Sequence, residues 1–400
     1  MAIARPHRAS PRHSLCFPSS LPSFNFTAHT ICIKTGMAQI RATFRPAIPT
    51  RRADSTHQMF RLSTRHQLRS FAVGSTTKPR VAVLCQAIDP PFVTKPGKPV
   101  GKHELICNYL MNQGYGYRDS GADIAYGLQK SGIQVITPTT TPDPVEDDDW
   151  CFPDDEAGIL SAILGGATHL WAANTNLSSS HPLHASLAIA KHADSVHVVG
   201  QPPKLVELFD NKEHTNNLLR KHTNFPLPTA YTLDTRNDGA IHLPSNLAFP
   251  LVAKPIRGRG SHGVRVCHDK PALVQHLSVL LQESLVVMLE SFLSGEEATI
   301  AVMPPSNQKP RYWALPVVTR FNHEQGIAPY NDATLTSNCR AIAFSEFQTD
   351  ATYTTVCRQC EQVAELLKVT APIQIDVRRF TAERGSPFVI FDINMKPVSF

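Results

Sequence analysis

The sequence predicts a two-part protein, with an α/β domain over residues 80–200 and an α+β domain over residues 201–400. Short apolar runs alternate with helical patterns in the first part, which is typical of an open parallel sheet. The second part contains strand-like pairs around long helical stretches, and these favour antiparallel hairpins. Residues 1–79 show no sustained apolar period, and we predict that they form a disordered extension.

The extension is unusually basic. Residues 1–80 hold thirteen Lys and Arg residues, eleven of them Arg, against the single acid Asp54. Such a segment is typical of an organelle transit peptide. Translation starting at Met37 or Met59 is the alternative, and both interpretations stay open. We predict a cytoplasmic location, with mitochondrial import through the Arg-rich segment as the alternative.

The rest of the chain has the opposite charge balance. Residues 81–400 keep 26 basic and 32 acidic residues, a net charge of −6, which argues against a nucleic-acid-binding surface. No apolar run approaches the ~18–20 residues of a membrane span, so no membrane partner is expected. The nine cysteines form no framework, and an odd count indicates a reducing compartment. Cys357 and Cys360 form a lone CxxC within a helix-like stretch, and we interpret them as partly buried thiols.

The α/β domain is predicted to begin with the apolar run Arg80–Cys85, which indicates a buried parallel strand. Helix-like and strand-like segments then alternate at 122–130, 133–136, 156–164, 168–171, 184–192 and 196–199. Two stretches interrupt this alternation. Residues 102–113 form an apolar patch that we interpret as an insertion, and the acidic stretch 143–155 is expected to be a solvated loop.

The α+β domain is predicted to open with two helices that meet at Asp210, an expected N-cap residue. Further segments follow as strands at 249–255, 263–267, 286–290, 373–380 and 388–394, with helices at 271–281 and 353–368. Three motifs in this domain carry polar side chains suited to chemistry.

The first motif is a strand that ends at Lys254 and runs into a glycine-rich loop. Arg257, Gly260, Ser261 and Gly263 follow, and glycines let backbone N–H groups approach phosphate oxygens closely. The Lys254 ammonium is expected to face this loop and to need an anion that a bound triphosphate would supply. A simple turn, with Lys254 paired to a nearby acid, is the alternative.

The second motif is a pair of strands joined by a short connector. Glu290 and Ser291 precede the connector, Leu293 lies in it, and Glu297 follows it. Backbone groups of a connector can read an adenine edge, and a carboxylate can accept hydrogen bonds from ribose hydroxyls. A surface hairpin with solvated glutamates is the alternative.

The third motif places two acids and an amide on neighbouring strands. Asp392 and Asn394 have period-two spacing, so both point to one face of a strand, and Asp376 lies on the strand before it. Carboxylate and amide oxygens are hard ligands suited to Mg²⁺. We therefore predict a metal site formed by these three residues.

In this order, the three motifs resemble the ATP-grasp superfamily, and most closely its D-alanine–D-alanine ligase branch. The resemblance covers 201–400 and, more weakly, 80–200 as a pre-ATP-grasp substrate domain. It implies ATP and Mg²⁺ as cofactors and small-molecule carboxylate and amine substrates. It also implies a nucleotide site that includes the residues Lys212, Lys254, Arg257, Gly260, Ser261, Gly263, Glu290, Ser291, Leu293 and Glu297.

The resemblance implies a carboxylate–amine ligase that acts through an acyl phosphate. The ligases have an arginine where this chain has Gln374, and Arg378, two residues after Asp376, is expected to compensate as the catalytic residue. The acid that holds a substrate ammonium has only Asp89 as a candidate, and the chain reaches Phe400 without the ligases' second-substrate loop. These departures leave open an ATP-binding protein without ligase turnover, as well as the substrates and the oligomeric state.

Removing residues 1–76 is expected to leave the melting temperature within about 2 °C of that of the full chain, because the extension should bury little apolar surface. Thermal unfolding of both chains, followed by circular dichroism, measures this. A drop of many degrees would mean that the extension packs on the body.

Overall fold

A computed structural model describes the residues 78–87, 118–172, 175, 177–222, 225–236, 241–258, 261–328 and 338–396. Three predictions lie outside these ranges: the disordered extension up to residue 77, the insertion at 102–113 and the role of Asp89. No helix within the described ranges combines the length and the apolar character needed to cross a membrane.

The first sheet is parallel and has five strands. They are β1 Arg80–Cys85, β2 Gln134–Val135, β3 Cys151–Pro153, β4 His169–Trp171 and β5 His197–Val199. The order is β2-β1-β4-β5, and β3 pairs with β1 beyond the end of β2. The predicted open parallel sheet is confirmed. The solvated loop predicted at 143–155 is wrong in part, because buried Cys151 and Phe152 extend the sheet.

Four helices accompany this sheet: α1 Arg118–Lys130, α2 Glu156–Leu164, α3 Pro182–Ala185 and α4 Leu187–Ala190. Helix α2 starts where Asp155 accepts a hydrogen bond from the Gly158 amide. The single helix predicted at 184–192 is two helices. Ser186 has extended backbone angles, and its side chain accepts from the Ile189 amide, so it ends one helix and caps the next.

The second sheet is antiparallel, with four strands in the order β6-β9-β7-β8. The strands are β6 Ala230–Asp234, β7 Leu251–Pro255, β8 Arg265–Cys267 and β9 Val286–Ser291. Helix α7, Lys270–Glu283, covers one face with buried Leu273, Leu277 and Leu280. The first five residues of β9 are buried because this strand lies between two neighbours and under α7.

The third sheet is antiparallel and has six strands. Its order is β13-β12-β10-β14-β15, with β11 also paired to β10. The strands are β10 Glu297–Met303, β11 Trp313–Ala314, β12 Val318–Arg320, β13 Cys339–Ala341, β14 Ile373–Arg379 and β15 Phe388–Asn394. Helices α8, Phe344–Thr349, and α9, Ala351–Leu367, precede β14.

Two helices lead from the first sheet to the second: α5 Pro203–Phe209 and α6 Lys212–Lys221. The predicted N-cap is off by one residue. Asn211, not Asp210, accepts the capping bond from the His214 amide, because Asp210 ends α5 with helical backbone angles. This offset places Lys212 at the first position of α6.

The core runs without a break from the first sheet to the third, through buried residues such as Leu170, Leu219 and Ile375. A buried side chain reinforces this connection. The Gln201 Nε2 atom donates to the Ala371 carbonyl at 2.7 Å, and the Thr370 amide donates to Gln201 Oε1 at 3.0 Å. A shared core of this kind does not decide where one domain ends and the next begins, and the domain division between residues 200 and 201 stays a prediction.

The β14–β15 hairpin is anchored to α9 by a buried arginine. The Arg379 guanidinium carbon lies 4.2 Å from the centre of the Phe388 ring and 5.1 Å from that of the Tyr353 ring. Its Nη2 atom is 2.8 Å from Asp350 Oδ2, and its Nη1 atom donates to the Ser386 carbonyl at 2.8 Å. Asp350 is also the N-cap of α9, so one ion pair connects the hairpin to the start of that helix.

Substituting Arg379→Met should lower the free energy of unfolding by about 3 kcal/mol, because the partly buried Asp350 carboxylate would lose its cationic partner. Urea denaturation measures the change. The control is Arg340→Met, which removes an exposed arginine paired with Glu346 and should move the midpoint very little. Equal effects of the two substitutions would contradict a special role for Arg379.

Candidate functional site

A cleft of about 180 Å³ is lined by residues of the second and third sheets. It contains eleven of the fourteen predicted site residues, namely Lys212, Lys254, Ser261, Glu290, Ser291, Leu293, Glu297, Asp376, Arg378, Asp392 and Asn394. Arg257 and Gly263 are described but do not line it, and Gly260 lies outside the described residues. The three sequence motifs therefore meet in one place.

The predicted metal ligands lie on two adjacent strands, as their spacing required. Asp376 on β14 pairs directly with Asp392 on β15, and Gln374 pairs with Asn394. Asn394 donates its Nδ2 to Asp376 Oδ2 at 3.1 Å, which turns the amide oxygen away from that carboxylate. Two carboxylates and an amide oxygen thus share one face of the third sheet.

The side chains of Thr299, Gln374 and Asn394 hold the Asp376 carboxylate in a fixed orientation. Thr299 Oγ1 donates to Asp376 Oδ1 at 2.7 Å, and Gln374 Nε2 donates to the same oxygen at 3.3 Å. Burial raises the pKa of the Asp376 carboxyl; the Arg320 charge opposes the rise and Asp392 adds to it. The charge of Asp376 is therefore less well compensated by its surroundings than an exposed carboxylate would be.

Asp392 is kept ionised by a lysine. The Lys212 ammonium lies 2.8 Å from Asp392 Oδ1. Burial works against ionisation of Asp392, but Lys212 and Lys254 outweigh it and hold the pKa of this carboxyl below its usual range. Burial also opposes the Lys212 charge, yet Asp392 and Asp210 outweigh it and raise the pKa of the ammonium. The two residues therefore form a partly buried ion pair.

The Lys254 ammonium is paired with a protein acid, as in the alternative that the sequence left open, although Lys254 lines the same cleft as Ser261 of the glycine-rich loop. Lys254 is 4 % exposed, and its Nζ lies 2.6 Å from Glu290 Oε2 and donates to the Phe391 carbonyl at 3.0 Å. The second oxygen of Glu290 accepts from Asn216 Nδ2 at 3.2 Å. A buried ammonium needs a nearby anion, and Glu290 supplies one across the β7–β9 pair.

The glycine-rich loop is held by other contacts. Arg257 turns away from the cleft and donates to the Glu207 carbonyl at 2.7 Å. Gly263 has a φ of +68°, a backbone conformation that residues with a side chain rarely adopt, so the turn favours glycine at this position. His276 Nε2 lies 3.0 Å from the Gly263 carbonyl oxygen and connects the loop to α7.

The connector between β9 and β10 uses most of its amides within the protein. Phe292, Ser294 and Gly295 donate to the carbonyls of Pro250, Phe380 and Arg379. Within the described part of the chain, Leu293 donates its amide to no backbone carbonyl. A β-carbon on Gly295 would lie 2.2 Å from the Thr381 carbonyl oxygen, so glycine is required at this close approach.

Glu297 and Arg378 form a buried cluster at the start of β10. Arg378 donates its Nε to the Gly295 carbonyl at 3.1 Å and its Nη1 to the Gly326 carbonyl at 2.7 Å. Its Nη1 also lies 3.4 Å from Glu297 Oε2, an atom that is 2.9 Å from His323 Nε2. Arg378 is thus committed to backbone carbonyls and to Glu297, which argues against the catalytic role predicted for it.

Sequence reasoning missed Arg320, which lines the cleft, and also Thr299 and His323, which contact the lining residues Asp376 and Glu297. Thr299 lies two residues after Glu297, so the period-two rule for strands was a usable signal. Arg320 belongs to the three-residue strand β12, and His323 follows it in a loop. Segments this short carry no periodicity of their own.

A family model described as "D-ala D-ala ligase C-terminus" matches residues 226–398. Two solved structures share the fold over most of the chain. The D-alanine–D-alanine ligase of Bacillus anthracis in complex with ATP has a TM-score of 0.50 at 15 % identity, covering 80 % of this chain and 87 % of that one. The VanG D-Ala:D-Ser ligase of Enterococcus faecalis has a TM-score of 0.52 at 12 % identity, covering 80 % and 91 %.

The fold is that of the ATP-grasp D-alanine–D-alanine ligases. The predicted fold class and resemblance are thereby confirmed.

Matches by sequence to individual proteins are shorter. A D-alanine–D-alanine ligase of Bacillus anthracis is 38 % identical over 56 residues, which are 14 % of this chain and 18 % of that protein. D-alanine–D-alanine ligase A of Bacillus cereus is 29 % identical over 85 residues, 21 % of this chain and 26 % of that protein. These matches span about a fifth to a quarter of the relatives' lengths.

Within this ATP-grasp fold, Lys254→Met should destabilise the nucleotide-free protein by about 3–5 kcal/mol, because Glu290 would stay buried without its cation. Urea denaturation measures the loss. Adding Glu290→Gln to the same chain should recover part of it, and a double variant no more stable than the single one would contradict the pairing.

Proposed function

We propose that the protein is an ATP- and Mg²⁺-dependent ligase that joins a small-molecule carboxylate to an amine through an acyl phosphate. The observation that carries the proposal is the pairing of Asp376 with Asp392 beside Asn394, in the same cleft as Lys212 and Lys254. The solved relative in complex with ATP and the ligase names of the matched proteins support it.

The three proposed metal ligands suit Mg²⁺. Lys212 and the Ile393 amide both contact Asp392 at Oδ1, so Oδ2 is the oxygen proposed to bind the cation. Only two of the three ligands are carboxylates, and no group of three or more His, Cys, Asp and Glu residues suited to a metal occurs in the described ranges. An incomplete protein shell fits Mg²⁺, which also takes phosphate oxygens and water. When bound, the ion would neutralise phosphate charge.

The lysines have donors left for a polyphosphate. An ammonium group has three N–H donors. Lys254 uses two of them, on Glu290 and on the Phe391 carbonyl, and Lys212 uses one on Asp392. The remaining donors in the cleft would bind phosphate oxygens, while Ser261 and the backbone of its loop would contact them from the other side.

The connector and Glu297 suit the nucleoside. The Leu293 amide is the proposed donor to the adenine edge, since its neighbours Phe292 and Ser294 use theirs within the protein. Glu297 receives its described contacts at Oε2, so Oε1 is the proposed acceptor for a ribose hydroxyl. Glu290 is assigned a different role from the one first predicted, because it holds Lys254.

The reaction proceeds in two displacements. A carboxylate oxygen of the first substrate attacks the γ-phosphorus of ATP, the bond from that phosphorus to the β,γ-bridging oxygen breaks, and ADP leaves. The amine nitrogen of the second substrate then attacks the acyl carbon, the C–O bond to phosphate breaks, phosphate leaves, and the nitrogen releases a proton. Positioning and charge stabilisation by the cleft supply the catalysis.

The full-length protein should release phosphate from Mg-ATP when supplied with the correct acid and amine. Pools of D-amino acids, L-amino acids and hydroxy acids, each assayed with and without an amine pool, would identify the substrates. The proposal fails if Mg-ATP binds but no pool stimulates phosphate release. That result would favour the alternative, an ATP-binding protein without turnover.

Asp392→Asn should weaken Mg-ATP binding at least about tenfold, or 1.4 kcal/mol, because a charged metal ligand is lost. Isothermal titration calorimetry measures the affinity. The matched control is Asp269→Asn, which preserves an N-cap on α7 far along the chain from the metal ligands and should bind normally. Unchanged affinity in a folded Asp392→Asn protein would remove the metal assignment.

A further inference from the structure

His323 reaches the nucleotide cleft from a turn that none of the three sequence motifs includes. The turn, residues 322–327, follows β12 and is closed by two backbone hydrogen bonds between Glu324 and Ile327, at 2.8 and 3.0 Å. Ile327 and the next residue, Ala328, line the cleft. The turn is therefore part of the wall of the cleft.

Contacts with the connector and with Arg378 hold this turn in place. Arg378 donates its Nη1 to the Gly326 carbonyl at 2.7 Å, and a β-carbon on Gly326 would lie 3.1 Å from the Phe292 ring of the connector. Asn322 and Gln325 have φ angles of +57° and +50°, a region that residues other than glycine seldom adopt. Such a conformation persists when surrounding contacts enforce it, so these contacts also fix the position of the turn.

His323 donates a hydrogen bond from this turn to the carboxylate of Glu297. Its Nε2 lies 2.9 Å from Glu297 Oε2. A carboxylate only accepts hydrogen bonds, so Nε2 carries the hydrogen. The side chains of His323 and Glu297 are 18 % and 9 % exposed, so water competes little for this bond. The bond is expected to hold the carboxylate more firmly than a bond at the protein surface would.

This hydrogen bond also selects which oxygen of Glu297 faces the nucleotide. Arg378 Nη1 approaches the same Oε2 atom at the longer distance of 3.4 Å, while Arg378 also donates to the carbonyls of Gly295 and Gly326. The described side-chain contacts of Glu297 thus reach one oxygen, and the shorter contact comes from His323. A carboxylate held at Oε2 keeps Oε1 in the orientation in which it is proposed to accept from a ribose hydroxyl.

We propose that His323 is the positioning residue of Glu297, so that selection of a ribonucleotide over a deoxyribonucleotide depends on the turn after β12. This inference rests on the proposed function, because it assumes that the ribose of ATP lies beside Glu297. A misplaced carboxylate weakens binding only of nucleotides that have the hydroxyl it contacts. The proposed contacts to phosphate and adenine involve other residues and do not depend on His323.

The test compares the affinities of the full chain for Mg-ATP and for the Mg²⁺ complexes of 2′-deoxy-ATP and 3′-deoxy-ATP, measured by isothermal titration calorimetry. The wild-type protein should bind Mg-ATP about tenfold more tightly than at least one deoxy analogue, because a hydrogen bond to a charged group is lost. His323→Ala should reduce this ratio to about threefold or less by weakening Mg-ATP alone. His323→Asn, too short to reach Glu297, should behave in the same way, whereas His323→Gln keeps a donor of similar reach and should restore most of the ratio.

A double-mutant cycle with Glu297→Gln separates positioning from a general effect on the fold. Glu297→Gln should itself lower the ratio, because a neutral amide is a weaker acceptor than a carboxylate. Adding His323→Ala to it should change the ratio no further, since the carboxylate that His323 orients is already absent. The matched control is His268→Ala, which removes an exposed histidine after β8 and should leave all three affinities unchanged.

An unchanged ratio in folded His323→Ala and His323→Asn proteins, or equal losses for all three nucleotides, would overturn this inference and leave the proposed function standing. A wild-type ratio near one for both analogues would overturn the assignment of Glu297 to the ribose, and this inference with it. A wild-type protein that binds none of the three nucleotides would instead refute the proposed function itself.

Discussion

The pairing of β14 with β15 places the carboxylates of Asp376 and Asp392 directly opposite each other. The arrangement of the cleft depends on the side chains that compensate these two negative charges. Asp376 and Asp392 are neighbours across the strands, so their mutual repulsion must be offset within the protein. The offset is unequal. Asp392 is paired directly with Lys212 at 2.8 Å, whereas Asp376 accepts hydrogen bonds from Thr299, Gln374 and Asn394, and the more distant charge of Arg320 does not outweigh its burial. This asymmetry accounts for the opposite directions of their pKa shifts.

Contacts of Arg379, near the turn of the β14–β15 hairpin, support this strand pairing. The strands bulge between Asp376 and Val377, so the register that pairs the acids would be easy to shift if the hairpin were loose. Arg379, immediately beyond, is stacked between Phe388 and Tyr353 and bonded to Asp350. The backbone amide of Arg379 also donates to the Glu296 carbonyl at 2.8 Å, which connects the hairpin to the connector. Packing next to the cleft, around Arg379, thereby supports the strand pairing within it.

Local patterns in the sequence predicted the buried strands and most of the site. The strand at Phe388–Asn394 and the helix at Glu156–Leu164 were predicted with their observed bounds, because both have clear periodicity and clear ends. The strands β11, β12 and β13 were not resolved individually, since two or three residues carry no period. The site residues converged because period-two spacing fixes which side chains share a face.

The sequence could not show which charged side chains pair with each other across neighbouring strands. Lys254 and Glu290 are 36 positions apart, and nothing in either segment indicates that β7 and β9 are neighbours whose side chains meet. The same limitation applies to Arg378, whose position two residues after Asp376 suggested a catalytic cation. Its bonds to Gly295, Gly326 and Glu297 became visible only once the sheet was assembled.

These misassignments share a physical cause. In a buried site every charge must find a partner, so the cation nearest in sequence to an acid is often the one already used to hold the fold. Lys254 and Arg378 are used in this way, and both are 9 % exposed or less. A cation that lies close in sequence to an acidic motif is therefore a poor guide to the charge used in chemistry, because the fold can already use that cation to hold a buried carboxylate or carbonyl.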